Sequence, residues 1–171
     1  KVDTVVVDKT GTITIGKPTL VDIENLSSLD NNQFISIIAS LEKKSEHPIA
    51  QAVVNYALEK NLNIENVSNF EAIQGKGIKG GVGGVDYYVG NVKLINELGL
   101  GFDATQIEKF TMQGKTPVIL ATTEKVLGFV TVADKIKEES KQAITDLHKL
   151  GIKVVMLTGD DERTAKHIAS I

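Results

Sequence analysis

Asp8 is the residue of this sequence best placed to do chemistry, because of what precedes and follows it. Residues 5–7 are all valine, and residues 9–14 supply a lysine, threonine hydroxyls and a glycine. A β-branched apolar run is typical of a strand buried inside a parallel sheet. Open α/β sheets bind ligands just beyond the carboxyl ends of their strands, which is where Asp8 stands. The alternative is that the aspartate and the threonines only cap a turn.

A second polar loop follows a second apolar strand near the other end of the chain. Residues 152–157 are largely apolar, and Thr158, Gly159 and Asp160 come directly after them. Parallel neighbours end at the same edge of a sheet, so we expect this loop to lie beside Asp8. A helix cap is the alternative for a short polar tripeptide of this kind.

Composition excludes several classes of function. The chain has 171 residues, an apolar fraction of 42%, a net charge of -3 and no cysteine. The charge gives no basic footprint for nucleic acid, and the lack of cysteine excludes disulfides and thiolate metal sites. No apolar run approaches the roughly 20 residues that a membrane-spanning helix needs.

The hydrophobic periodicity changes twice along the chain, which predicts an α/β domain interrupted by an α+β domain. Strand patterns with glycine turns and helical patterns alternate between residues 15 and 131. A helix–strand–helix pattern then follows and belongs with the first strand. The predicted helices cover residues 31–43, 48–60, 91–97, 104–113, 137–150 and 161–171. The predicted strands cover residues 2–7, 19–25, 67–73, 78–82, 85–89, 117–122, 125–132 and 152–157, with a turn at residues 14–18.

Residues 8–14 match the signature of the P-type ATPases throughout, and the chain resembles that family. The resemblance implies that Asp8 is a nucleophile phosphorylated by ATP, a covalent role that carboxylates fill in such ATPases. It also implies that Lys9 is a nearby cation, and that the Asp8 carboxylate and the Thr10 carbonyl are Mg²⁺ ligands. The family has the Thr-Gly-Asp of residues 158–160, with the hydroxyl on a phosphoryl oxygen.

Residues 45–48, Ser-Glu-His-Pro, are similar to a motif of the heavy-metal-transporting branch of this family. There the histidine, here His47, orders ATP beside the adenine. The resemblance extends to further nucleotide-binding positions, which are Glu42, Gly75, Gly77, Gly90 and Asn91. Glycines let a nucleotide lie close to the backbone. A lone histidine is more often structural, so the assignment rests on several positions recurring in family order.

Residues 134–137 resemble a hinge motif of the family, Asp-x-x-Arg, with Lys137 in place of the arginine. Asp134 is therefore a predicted nucleotide-binding residue, although an N-cap role for it fits the sequence equally well. Lysine lacks the bidentate fork of arginine, which argues against a nucleotide contact by Lys137.

The resemblance implies a haloacid dehalogenase-like phosphorylation domain at residues 1–14 and 132–171, into which a nucleotide-binding domain at residues 15–131 is inserted. The later Gly-Asp-Gly-x-Asn-Asp loop of the family does not occur in this sequence, so the phosphorylation domain is expected to be incomplete. The Mg²⁺ site is expected to be incomplete for the same reason.

The leading interpretation is the ATP-binding and aspartyl-phosphorylation portion of a pump, on the cytoplasmic side of a membrane. ATP or ADP and Mg²⁺ are its expected ligands. The transmembrane and actuator domains and the transported ion, expected to be copper, lie elsewhere; zinc, cadmium, cobalt and lead stay open. Two alternatives are a nucleotide-binding module without turnover and a haloacid dehalogenase-type phosphatase. The phosphatases carry a second aspartate two residues after the nucleophile, where this chain has Thr10.

Overall fold

The computed structural model describes residues 2–8 and 13–157, which form eight strands and five helices. The strands are β1 (Thr4–Asp8), β2 (Thr14–Asn25), β3 (Ser68–Ile73), β4 (Gly77–Val82), β5 (Val85–Gly90), β6 (Thr116–Ala121), β7 (Val126–Ile136) and β8 (Lys153–Leu157). The helices are α1 (Asn31–Glu42), α2 (Pro48–Glu59), α3 (Val92–Glu97), α4 (Thr105–Thr111) and α5 (Glu138–Lys149).

The strands divide between two sheets. Six of them form an antiparallel sheet in the order β2-β7-β6-β5-β4-β3. β1 and β8, although far apart in sequence, pair in parallel. The predicted α/β and α+β combination is therefore confirmed, and β4 and β5 form a hairpin across Gly83 and Gly84.

Helices cover both faces of the six-stranded sheet. β6 shows this by alternation: Val118 and Leu120 pack with α1 and α2, whereas Ile119 and Ala121 pack with α3 and α4. A strand that buries both faces in this way reads as a continuous apolar run. This packing fixes the end of α1 against the sheet, where the candidate site lies.

β2 and β7 are the longest strands, and they link the large sheet to the small one. The turn predicted at residues 14–18 is wrong, because these residues begin β2 opposite β7. The pairing shifts register between Thr14 and Pro18, and Gly16 there has φ +78°. Gly16 and Pro18, which the sequence places in a turn, therefore lie in a β-bulge within a strand. The domain boundaries predicted at residues 14–15 and 131–132 fall within or at the edge of these strands and stay a prediction.

β1 is less buried than its apolar run predicts. Val6 is 57% exposed, and within the described residues β1 pairs with β8 alone. The inward side of this small sheet packs on α5, in a cluster with Ile13 and Ile144. In the ranges that the structure covers, no helix has the length and apolar character needed to cross a membrane.

Candidate functional site

A cavity of about 520 Å³ opens between the end of α1 and the turn that joins β3 to β4. It gathers residues that lie up to 76 positions apart in the sequence, from Glu42 to Val118. Five of the predicted nucleotide-binding residues line it: Glu42, His47, Gly75, Gly77 and Gly90. The structure thus brings these positions together, while their roles stay predictions.

Glu42 is the buried acid of this cavity. It is the last residue of α1 and only 9% exposed. Burial raises the pKa of its carboxyl from 4.5 to about 7, because the charged form is poorly solvated there. Within the described residues, no hydrogen bond or ion pair of this carboxyl is found. The side chain is therefore partly neutral at physiological pH and available to a ligand.

His47 forms the N-cap of α2. Its Nδ1 accepts a hydrogen bond of 3.2 Å from the N–H of Ile49, the second residue of the helix, as an N-cap side chain normally does. A neutral imidazole whose Nδ1 accepts carries its proton on Nε2. His47 is exposed, so this N–H donor can reach a ligand in the cavity. The structural role and the predicted binding role are compatible in one side chain.

The three glycines of the cavity serve different purposes. Gly77 and Gly90 face each other across β4 and β5. A Cβ on Gly77 would lie 2.1 Å from the Val89 carbonyl oxygen, and one on Gly90 would lie 2.2 Å from that of Lys76. Strand packing therefore requires glycine at both positions. Gly75 has φ +71° and nothing within 4 Å of its missing Cβ, which leaves open space beside its backbone.

Asn91 holds the glycine turn from the other side. Its Oδ1 accepts from the Leu94 N–H and caps α3, while its Nδ2 donates to the Gly75 carbonyl at 3.0 Å. Its backbone N–H donates to the Lys76 carbonyl at 3.0 Å. Asn91 does not line the cavity but bonds the turn that does, and its nucleotide-binding role stays a prediction.

Two further cavities lie nearby. Asn91 and Pro117 line one of about 420 Å³, which borders the first cavity at Pro117. The other, of about 530 Å³, lies between β2 and α2 and contains none of the predicted site residues. Of these three cavities of the described residues, the first alone combines a buried acid, an exposed imidazole and a glycine turn.

Sequence reasoning missed three residues that line the first cavity. Phe70 is 37% exposed, and the Lys44 ammonium lies 5.8 Å from the centre of its ring. Lys76 also lines the cavity and forms an ion pair with Glu97 at 2.6 Å. Phe70 was the only one of the three with a signal in the sequence, as an aromatic residue within a predicted strand. Hydrophobic periodicity alone predicts that such a residue packs in the core.

Asp8 ends β1, with its side chain exposed. Its Cα partner in the parallel pairing is Leu157, the residue that precedes the second predicted loop. The expected parallel pairing of the two apolar strands is thus confirmed. The other predicted catalytic residues lie outside the described part of the chain: Lys9, Thr10, Thr158, Gly159 and Asp160.

Asp134 bonds one strand to another through its side chain, and the alternative prediction that it is a helix N-cap is wrong. It lies in β7, and α5 begins four residues later with Lys137 as its N-cap. The Asp134 carboxylate accepts from the Thr14 hydroxyl at 2.6 Å and from the Gly16 N–H at 3.1 Å. These bonds hold the bulge of β2, and Asp134 does not line the cavity of Glu42.

Removing the Asp134 carboxylate should weaken this connection. We expect Asp134→Ala to lower the free energy of unfolding by about 1–3 kcal/mol. The substitution removes the carboxylate that accepts hydrogen bonds from the Thr14 hydroxyl and the Gly16 N–H of β2. Urea unfolding measures the loss, and Asp134→Asn, which keeps an acceptor oxygen, should lose less. Equal stability of all three proteins with weaker ATP binding would instead support the nucleotide role that the family motif implies.

The family follows from comparison with known proteins. A model of the haloacid dehalogenase-like hydrolases matches residues 2–171. A copper-exporting P-type ATPase of Staphylococcus saprophyticus is 42% identical over 172 residues, which are 99% of this chain and 21% of that protein. A cadmium-transporting ATPase of Staphylococcus aureus is 42% identical over 178 residues, with coverage of 99% and 24%. The chain therefore spans less than a quarter of the length of these relatives.

Solved structures give the same result. A zinc-transporting PIB-type ATPase in its E2.Pi state matches 99% of this chain and 28% of its own, with a TM-score of 0.81 and 31% identity. A catalytic CPx-ATPase domain matches 99% of this chain and 57% of its own, with a TM-score of 0.68 and 24% identity, and shares the fold. The chain belongs to the haloacid dehalogenase-like hydrolase family and is related within it to the heavy-metal P-type ATPases, as the pattern at residues 8–14 predicts.

Proposed function

We propose that this chain binds ATP and accepts its γ-phosphoryl group on Asp8, as the catalytic portion of a heavy-metal pump. One observation carries the proposal: a single cavity gathers the acid, the imidazole and the glycines that the sequence predicts to bind a nucleotide. Cavities of a few hundred Å³ with a few convergent polar groups are the usual form of small-molecule sites.

The cavity offers complementary groups for each part of a nucleotide. Phe70 supplies an apolar ring face and Glu42 a hydrogen-bonding group, both suited to a base. Lys76 supplies positive charge, which suits phosphates. Gly75, one residue before it, leaves its backbone open to close approach. We therefore assign the base to the side of Glu42 and Phe70, and the phosphates to the side of Gly75 and Lys76.

Phosphoryl transfer to Asp8 requires positioning more than covalent assistance. A carboxylate oxygen of Asp8 would form a bond to the γ-phosphorus while the bond from that phosphorus to the β–γ bridging oxygen breaks. ADP leaves with that oxygen, and the product is an acyl phosphate. The exposed position of Asp8 at the end of β1 gives the oxygen access for such an attack.

Mg²⁺ suits this end of the strand, because it takes one or two carboxylates and keeps several waters. Asp8 would be a ligand, together with the Thr10 carbonyl that the family resemblance implies. Among the described residues, no group of three acidic, histidine or cysteine side chains forms a metal site. The ion would supply positive charge for the transferred group.

The remaining parts of the pump belong to the proposal as well. The transmembrane and actuator domains, and the site of the transported metal, would lie outside this chain, which would sit on the cytoplasmic side. The relatives include a copper-exporting and a cadmium-transporting ATPase at equal identity. Copper is our proposal for the transported ion, although the copper-exporting and the cadmium-transporting relative have the same identity to this chain.

Labelling with [γ-³²P]ATP and Mg²⁺ tests the phosphoryl acceptor. We expect acid-stable, hydroxylamine-sensitive label on the chain and none on Asp8→Asn, because an amide cannot form the acyl phosphate. Asp3→Asn is the matched control, since Asp3 is exposed near the start of the same strand. Nucleotide binding without label would favour a binding module. Steady release of phosphate from small phosphomonoesters would favour a phosphatase.

A further inference from the structure

Lys76 lines the cavity but bonds to a carboxylate outside it. Its ammonium forms an ion pair with Glu97, in which Nζ and Oε2 are 2.6 Å apart. Glu97 is the last residue of α3 and does not line the cavity. The positive charge that the β3–β4 turn brings to the cavity is therefore already neutralised in this structure.

The backbone fixes the point from which the Lys76 side chain extends. The Lys76 N–H donates to the Ile73 carbonyl at 3.0 Å, and the Lys76 carbonyl accepts from the Asn91 N–H at 3.0 Å. The residues on either side, Gly75 and Gly77, have φ +71° and +157°, which favour glycine. Because the main chain of Lys76 is bonded through both its N–H and its carbonyl, a change of ionic partner needs only rotations of the side chain.

The ion pair of Lys76 and Glu97 is exposed enough to be exchanged. The two side chains are 37% and 56% exposed. An exposed ion pair is weak, because water solvates the two charges nearly as well when they are apart. A ligand with several negative charges can therefore replace a single carboxylate. Lysine suits such an exchange, since its ammonium is a compact charge on a flexible stem.

The other charged groups of the cavity do not take the place of Lys76. Lys44 follows α1, and its ammonium lies 5.8 Å from the centre of the Phe70 ring, on the side that we assign to the base. Glu42 ends α1 and is buried. Lys76 is thus the cation next to the open backbone of Gly75, where we assign the phosphates.

We propose that Glu97 is a displaceable counter-ion, which Lys76 exchanges for the phosphates of a nucleotide. Without nucleotide, Lys76 pairs with Glu97; with nucleotide, it pairs with a phosphoryl oxygen and Glu97 is solvated. Because loss of the first pair opposes binding, Glu97 lowers the affinity for the phosphate chain and leaves that for the base unchanged. The pair forms again when ADP leaves, so the exchange favours product release. The inference rests on the proposed nucleotide function and adds to it a positioning residue that acts through Lys76.

Titration of wild type and Glu97→Gln with ATP and with adenosine tests the exchange, with amide NMR shifts as the readout so that weak binding is measurable. We expect Glu97→Gln to bind ATP about three- to fivefold more tightly at low ionic strength, because Lys76 then has no carboxylate to leave. Adenosine carries the base without phosphates and should bind both proteins equally. At about 0.5 M NaCl the ATP affinities should converge, since salt screens exposed charges.

Lys76→Gln tests the mechanism, because the exchange needs the lysine. We expect this variant to bind ATP more weakly than wild type, and the double variant Lys76→Gln/Glu97→Gln to bind ATP as Lys76→Gln alone does. Glu124→Gln is the matched control for net charge, since Glu124 lies in the exposed turn between β6 and β7. It should leave the ATP affinity unchanged.

The outcomes separate the exchange from the proposed function. Equal or weaker ATP binding by Glu97→Gln would overturn the exchange, because the ion pair would then be neutral to binding or hold Lys76 ready for it. A gain that persists without Lys76 would show direct repulsion of the phosphates by Glu97 and would also overturn it. So would an equal gain for adenosine. Failure of wild type to bind either ATP or adenosine would overturn the proposed function itself.

Discussion

Replacing Gly77 with alanine is expected to destabilise the fold by about 3 kcal/mol, the upper part of the range for overpacking. The added Cβ would lie 2.1 Å from the Val89 carbonyl oxygen and 2.7 Å from the Gly90 Cα. Both atoms belong to the backbone of β5, which pairs with β4 along its length. Neither can withdraw as a flexible side chain would, so the strands must separate and lose ladder hydrogen bonds. Urea unfolding monitored by circular dichroism measures the loss.

Gly84→Ala is the matched control for this loss. Gly84 lies in the turn of the same hairpin, has φ +82° and has nothing within 4 Å of its missing Cβ. Its replacement therefore adds backbone strain without a clash, and we expect a loss of about 1 kcal/mol. If the two variants unfolded at the same urea concentration, strand packing could not be the reason for glycine at position 77.

The glycines show where sequence reasoning stops. The spacing of Gly75, Gly77 and Gly90 indicates a place where something approaches the backbone closely, and that much is correct. At Gly77 and Gly90 the approaching atoms are those of the neighbouring strand. Only Gly75 leaves space for a ligand. The sequence does not distinguish a neighbouring strand from a ligand, because close approach of either one requires a residue without a side chain.

Most elements were predictable, because their signals are local. The apolar spacing and Pro48 place α1 and α2 within one residue of their observed bounds. The errors arise where contacts with residues distant in the sequence determine the local structure. Asp134 holds Thr14 and Gly16 in a strand from 118 residues or more away, which turns a predicted turn into a bulge. The burial of Glu42 likewise depends on packing of α1 against the sheet, which no local pattern in α1 reveals.

The second large effect also concerns stability: Glu42→Gln should make the chain more stable at alkaline pH. The pKa of this carboxyl rises from 4.5 to about 7 on folding. Between these values the folded state binds more protons than the unfolded chain, so stability falls as pH rises. The favourable contribution is complete below pH 4.5 and is lost as pH rises through about 7. The shift corresponds to about 3 kcal/mol, since each pKa unit is about 1.4 kcal/mol.

This cost is informative because proteins tend to keep such a residue only for function. A glutamine is nearly the same size and avoids burying a charge, so stability alone would favour it at neutral pH. A locally unfavourable residue at a cavity is the pattern expected of a binding site. The cost should also shrink when a ligand satisfies the carboxyl, because a ligand that binds only the folded state stabilises it.

Urea unfolding of wild type and Glu42→Gln at pH 4.5, 6 and 8, without nucleotide, measures this effect. The stability of the variant relative to wild type should grow by about 3 kcal/mol from pH 4.5 to pH 8. Glu124→Gln, in the exposed turn between β6 and β7, gives the baseline for replacing an acid at the surface. If the difference between wild type and Glu42→Gln stayed constant across this range, burial would not be holding the carboxyl neutral.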